Sequence, residues 1–256
     1  MHQFVKYQGT GNDFILIDNR SLSFDAFDKI PSLCDRKYGI GSDGIILIQS
    51  HADPDFDFEM VFFNPDGSTS FCGNGSRCAV AYAKELGIIA TNATFVAFDG
   101  LHKANIKNGN VTVKMADCDP PKLVESGKYI DTGSPHFIQV KEDIKSLDVN
   151  MLGRNLRFRT DLFGDAGTNV NFIAEKEKGS IFVRTYERGV EAETLSCGTG
   201  VTAAAICYGL EENISHVHVE TLGGKLSVNF DGSGTPIKNI YLSGPFTKVF
   251  EGSIQI

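Results

Sequence analysis

The residues best suited to chemistry in this 256-residue chain are two of its six cysteines, because both open the same short phrase. Cys72-Gly73-Asn74-Gly75 leads into Ser76-Arg77-Cys78-Ala79-Val80-Ala81-Tyr82-Ala83, and Cys197-Gly198-Thr199-Gly200 leads into Val201-Thr202-Ala203-Ala204-Ala205-Ile206-Cys207-Tyr208. The glycines are read as allowing a tight turn and close approach to a small ligand. The apolar runs behind them read as buried helices, which places each cysteine at a helix N-terminus. There the N–H groups without intrahelical partners, together with the helix dipole, favour negative charge; they lower a thiol's pKa and bind anions. Two such thiols suggest one proton carrier on each side of a bound carboxylate, cradled by the N–H groups of Gly73, Asn74, Gly198 and Thr199. Cys34, Cys78, Cys118 and Cys207 lack the glycine context, and Cys78 and Cys207 fall inside the helices as small buried hydrophobes.

Composition removes several other classes of function. A formal net charge of −8 with scattered Lys and Arg gives no basic face for nucleic acid. No apolar run approaches the ~20 residues of a membrane span, and Met1–Lys6 lacks the apolar core of a signal peptide, so a cytoplasmic protein is expected. Six cysteines without an export signal do not imply disulfides, and the absence of a CxxC pair argues against a structural metal.

The elements that must position the two cysteines follow the same order in each half. Phe56, Phe58, Met60 and Phe62 alternate as one face of a strand, Asn64-Pro65-Asp66-Gly67 makes a turn, and the first cysteine helix runs to about Gly87. Strands follow at 94–98, 101–106 and 111–115, joined at Asp99-Gly100 and Asn108-Gly109. In the second half, strands at 169–175 and 180–187 precede the second cysteine helix. Strands at 216–221, 225–230 and 239–243 follow it. Short helices are expected at 31–36, with Pro31 in the first turn, and at 148–152, with Asp148 as N-cap. A break at Asp117–Pro121 separates the halves. The fold class is α/β (mixed α+β), with domains at 1–116 and 117–246.

In these segments the sequence resembles the diaminopimelate epimerases. The likeness is carried by Gly9-Thr10-Gly11-Asn12-Asp13-Phe14, Asn64-Pro65-Asp66-Gly67-Ser68 and Phe71–Cys78, then by Gly133-Ser134-Pro135-His136, Thr168-Asn169-Val170-Asn171-Phe172, and Tyr186-Glu187-Arg188-Gly189 before Cys197–Gly200. The resemblance implies two pseudo-symmetric halves, each a curled sheet around a central helix, with the active site in the cleft between them and a C-terminal strand, 247–256, returning to the first half. It implies conversion of LL- to meso-diaminopimelate without pyridoxal phosphate or any other cofactor. Cys72 and Cys197 would be the acid–base pair, with His136 and Glu187 as helpers. Asn12, Asn64, Asn169, Glu187 and Arg188 would hold the substrate, with Ser134 beside them. Two positions depart from the pattern: many relatives have asparagine in place of Ser134 and a substrate-contacting glutamine in place of Gly44. The expected partner is a small-molecule substrate, and a homodimer is expected.

Racemisation of proline or hydroxyproline is the same-fold alternative, although a distal Arg188 would then have nothing to bind. A thiol redox sensor and a non-catalytic anion-binding module are the readings from other classes.

Overall fold

The computed structural model describes residues 1–255; Ile256, the last residue of the expected C-terminal strand, lies outside the described residues. The chain forms two compact units, Met1–Val113 with Gly244–Ile256, and Lys114–Ser243.

The first unit is built from β1 (His2–Gly9), β2 (Asn12–Asp18), α1 (Ile30–Cys34), β3 (Ile45–Gln49), β4 (Phe58–Phe63), α2 (Gly73–Glu85), β5 (Asn92–Ala97), β6 (Gly100–Lys107) and β7 (Asn110–Lys114). The second contains β8 (Lys122–Val124), β9 (Gly127–Asp131), β10 (Pro135–Val140), α3 (Val149–Arg157), α4 (Thr160–Phe163), β11 (Asn169–Glu177), β12 (Ser180–Glu187), β13 (Ala192–Thr194), α5 (Gly198–Glu212), β14 (His216–Thr221), β15 (Gly224–Asp231) and β16 (Lys238–Pro245). The last strand, β17 (Thr247–Ile254), pairs antiparallel with β1 in the first unit, from His2 opposite Ile254 to Gln8 opposite Thr247.

The strands of the two units share one topology. In the first unit the strands run β17-β1-β2-β3-β4-β5-β6-β7, with β2/β3 and β4/β5 parallel and every other neighbour antiparallel. In the second they run β8-β9-β10-β11-β12-β14-β15-β16, with β10/β11 and β12/β14 parallel and the rest antiparallel. A parallel pair needs a crossover, and in both units the second crossover is the cysteine helix. The fold is mixed α/β, as the strand–turn–helix order requires.

Each sheet has a helical layer on both faces. One face of the first packs Val5, Tyr7, Phe14, Leu16, Ile46 and Met60 against α2; the other packs Phe4, Ile15, Ile17, Ile45 and Leu47 around α1. In the second unit α5 fills one core, while Phe137, Val149, Val170 and Phe172 form the other beside α3. Asp148 does cap α3, its carboxylate accepting from the Met151 N–H at 2.9 Å. The expected strand at Phe56 starts two residues later: the Phe56 N–H closes a turn on the Asp53 carbonyl and its ring packs edge-on to His51.

Candidate active site

Each cysteine of the repeated phrase is the N-cap of its helix, with extended backbone at Cys72 (φ −130°, ψ 111°) and Cys197 (φ −118°, ψ 117°). The helices begin at Gly73 and Gly198, so the glycines lie in the first turn and not in a loop. None of Gly73, Gly75, Gly198 and Gly200 has positive φ. This corrects the expectation of a tight glycine turn and gives the fourth position of each phrase another reason to be glycine. A Cβ on Gly200 would lie 2.5 Å from Asn171 Oδ1 and 3.2 Å from His136 Cε1. A Cβ on Gly75 would lie 3.1 Å from Ile46 Cδ1 and 3.3 Å from Cys72 Cβ. Glycine lets each helix start seat itself against the groups around its own thiol.

Around Cys72, the sulfur accepts from the Gly75 N–H at 3.4 Å, as a helix cap should. It also lies 3.7 Å from Asn12 Oδ1, to which a thiol S–H can donate. Asn12 opens β2, and its amide is oriented by two neighbours: its Nδ2 donates to Asp43 Oδ2 at 2.7 Å, and its Oδ1 accepts from Asn74 Nδ2 at 3.3 Å. Asp43 is in turn bridged to Asp13 by Arg36, and Lys6 meets Asp13 at 2.6 Å. Burial works against the charged form of Asp13, but Arg36 and Lys6 prevail and bring its carboxyl down to about 2. Asn64 stays within its own turn, donating to Ser68 and Ser70.

Around Cys197, a polar chain runs through the interior of the second unit. Thr185 Oγ1 donates to Asn171 Oδ1 at 2.8 Å, and Asn171 Nδ2 donates to His136 Nδ1 at 2.9 Å. His136 Nδ1 therefore carries no proton, so Nε2–H donates to Thr199 Oγ1 at 2.9 Å. The Thr199 hydroxyl hydrogen is left to point at Cys197 Sγ, 3.4 Å away. His136 is fully buried, and burial followed by the positive charge of Arg188 pushes its pKa down to about 3. The imidazole is a neutral donor held in one tautomer.

The other expected residues of this unit form a second cluster. Asn169 Nδ2 donates to Ser134 Oγ and to the Pro135 carbonyl, both at 2.8 Å, while its Oδ1 accepts from the Arg188 N–H at 2.8 Å. Its amide thus ties the Ser134 turn to the start of the Arg188 loop. Glu187 Oε2 accepts from Thr194 Oγ1 at 2.9 Å. Gly44 is buried, and a Cβ there would stand 2.3 Å from the Phe62 ring and 2.6 Å from the Phe63 carbonyl, so this backbone has no room for a larger side chain.

Asp43, Arg36, Asn171 and Thr185 were missed from the sequence. Asn171 had a readable signal: it is a polar residue on the face of Asn169 in an apolar strand, where a buried amide must be hydrogen-bonded. The remaining cysteines are chemically quiet. Burial pushes Cys78 and Cys207 each up to about 12 and Cys118 up to about 11, and it raises Cys34.

Comparison with known proteins decides the family. The family model described as diaminopimelate epimerase matches residues 4–123 and 128–249. The chain is 45% identical to the diaminopimelate epimerase of Flavobacterium psychrophilum, over 98% of this chain and 100% of the relative. The chain belongs to the diaminopimelate epimerase family. The enzyme of the same name from Aquifex aeolicus is 40% identical, over 99% of this chain and 98% of that one. Among solved structures, a PhzF-family phenazine biosynthesis protein of Bacillus anthracis superposes with a TM-score of 0.73 at 16% identity, covering 100% of this chain and 99% of the other. A hydroxyproline epimerase of Agrobacterium vitis superposes at 0.70 and 16%, covering 98% and 91%. At such identities these two show the shared fold alone. As a member of the epimerase family the chain is an isomerase, and no helix among its described residues is long and apolar enough to cross a membrane.

Proposed function

We propose that this protein interconverts LL- and meso-diaminopimelate by a two-thiol acid–base mechanism that needs no cofactor. The observation that carries the reading is the placement of Cys72 and Cys197 as N-caps at the same topological position of a duplicated unit, in a chain of this family. One cysteine, as thiolate, takes the α-proton, and the C–H electron pair moves into the α-carboxylate as an enediolate. The other, as thiol, delivers its proton to the opposite face of the carbon, so the two sulfurs end with exchanged protonation states. N–H groups of Gly73, Asn74, Gly198 and Thr199 hold the carboxylate and stabilise the charge that develops on it.

His136 serves Cys197 through Thr199, and Glu187 supports the substrate's ammonium. Arg188 grips the distal carboxylate with its planar fork, while Asn12, Asn64, Asn169 and Ser134 line or position the remaining polar contacts. A cytoplasmic homodimer completes the reading; the exposed Val249 and Phe250 on β17 are apolar surface such a partner would cover.

The test is incubation of reduced protein with LL-diaminopimelate in D₂O, followed by NMR. Loss of the α-proton signal together with appearance of the meso isomer is the expected result. Exchange on proline but not on diaminopimelate, or no exchange with either, would sink the proposal.

A further inference from the structure

Beneath the start of α5 the second unit buries polar side chains where the first unit buries apolar ones. His136 on β10 and Asn171 on β11 are 0% exposed, and Thr185 on β12 is 3% exposed. In the first unit β3 and β4 hold the places of β11 and β12. There the start of α2 rests on Ile46 and Met60, whose ends lie 3.1 and 3.4 Å from where a Gly75 Cβ would stand. The duplicated plan is its own control: this junction of helix and sheet can be packed without a polar group. A buried polar chain is stable only when every member is paired, so its presence in one copy alone points to a role other than packing.

Such a chain has a direction, and one member has to set it. The imidazole and the threonine hydroxyls can run either way, each being both donor and acceptor. The Asn171 amide cannot. Its Nδ2 lies 3.5 Å from the Phe137 carbonyl, which only accepts, and its Oδ1 takes the Thr185 hydroxyl at 2.8 Å. Nδ2 is therefore the atom presented to His136 Nδ1 at 2.9 Å, and the later bonds follow from it: Nε2–H to Thr199 Oγ1 at 2.9 Å, then the Thr199 hydroxyl to Cys197 Sγ at 3.4 Å. With the amide reversed, Nδ1 would carry the proton, Nε2 would accept from Thr199, and the sulfur would lose that donor. Thr132 Oγ1 donates to the Thr199 carbonyl at 2.9 Å and keeps the head of the chain in place.

We propose that Asn171, held by Thr185, is a positioning residue for Cys197: its amide fixes the direction of the chain, so that the Thr199 hydroxyl reaches the sulfur as a donor for the thiolate. A hydrogen bond to the charged form favours that form, so Cys197 gains thiolate near neutrality. His136 in this role passes on a direction and exchanges no proton with the substrate. The inference rests on the reading of Cys197 as a proton carrier, yet its measurement does not require turnover.

Two readouts test it. In protein labelled with ¹⁵N at histidine, the His136 ring signals are identified by their loss in His136→Asn. At neutral pH they should show Nε2 protonated and Nδ1 bare; a protonated Nδ1 in wild type overturns the proposal. The second readout is alkylation of the reduced protein by limiting iodoacetamide at neutral pH, with mass spectrometry assigning each site and Cys72 as internal reference. In Asn171→Ala the alkylation of Cys197 should slow about tenfold, as for a thiol pKa raised by one unit, while Cys72 is unchanged. An unmoved Cys197 rate in that folded variant overturns the proposal, as does equal slowing of both cysteines. Should Asn171→Ala not fold, substitutions of Thr185 decide. Thr185→Val keeps the volume and loses the hydroxyl, and Thr185→Ser keeps the hydroxyl and loses a methyl. Slowing of Cys197 by about threefold in Thr185→Val, relieved in Thr185→Ser, supports the directed chain, and any other order overturns it, a packing role predicting the reverse. Absence of diaminopimelate exchange by wild type would count against the proposed function while leaving the tautomer and the alkylation rates to judge Asn171.

Discussion

At the scale of single residues, the two cysteines are distinguished from their four fellows by surroundings and not by sequence alone. Cys72 and Cys197 cap helices, whereas the other thiols are held protonated by burial. Replacing either by alanine should lower epimerisation by about 10²–10⁴-fold with circular dichroism unchanged, since each face of the carbon needs its own proton carrier. Near-normal turnover by a folded Cys197→Ala protein would refute the pair. His136 makes a separate prediction about stability. Its folded pKa of about 3 lies below the value of ~6.5 it has when unfolded. The unfolded chain therefore binds the extra proton, so the contribution of the neutral imidazole is complete above about pH 6.5 and is lost as pH falls towards 3. Unfolding free energies from urea titrations should fall across that window with a slope of up to about 1.4 kcal/mol per pH unit, and His136→Asn should flatten it. Asp13, held at about 2, adds its own loss only below about pH 4. An identical slope in the variant would mean that His136 is not buried as a neutral ring.

At the scale of elements, the first turn of α5 is the tightest fit near either thiol. Gly200→Ala should destabilise the protein by about 1–3 kcal/mol, since the new methyl meets Asn171 and His136 and cannot avoid both. Gly75→Ala should be milder, because its nearest neighbour is the movable end of Ile46. Thermal denaturation of the two variants side by side checks the order.

The sequence made most of these elements readable where polarity alternates or turn residues punctuate, as in the hairpins at Gly100 and Gly109 and the Asp148 cap. It hid β2 and β3, because Phe14–Ile17 and Ile45–Ile48 are buried on both faces and show no period of two. The cysteines, His136 and Asn12 were legible through motif order. Asp43, Arg36 and Thr185 were not, because each reaches the thiols only through other side chains and carries no spacing of its own. The tight turn expected of the glycines is absent, and Gly75 and Gly200 answer instead to packing at the helix starts.

At the scale of the whole molecule, one strand-and-crossover plan is used twice, but the two copies are not equally continuous in the chain. The second unit is a single stretch, Lys114–Ser243, whereas the first takes its edge strand β17 from the far end of the sequence. Ending the chain after Pro245 should therefore injure the first unit, although the deletion lies far from it in sequence. Hydrogen exchange read by mass spectrometry should show protection lost in β1 and its neighbours, with the core around α5 largely retained. Loss confined to the second unit would contradict the pairing.

That same interleaving sets a timetable for synthesis. A ribosome completes every strand of the second unit before it reaches Thr247, so the second unit can close while the first still waits with β1 uncovered along one edge. An open edge of that kind invites pairing with a neighbouring nascent chain. The interval ends only when Thr247–Ile254 has left the exit tunnel, so the timing of that one segment governs whether His2–Gly9 finds its partner.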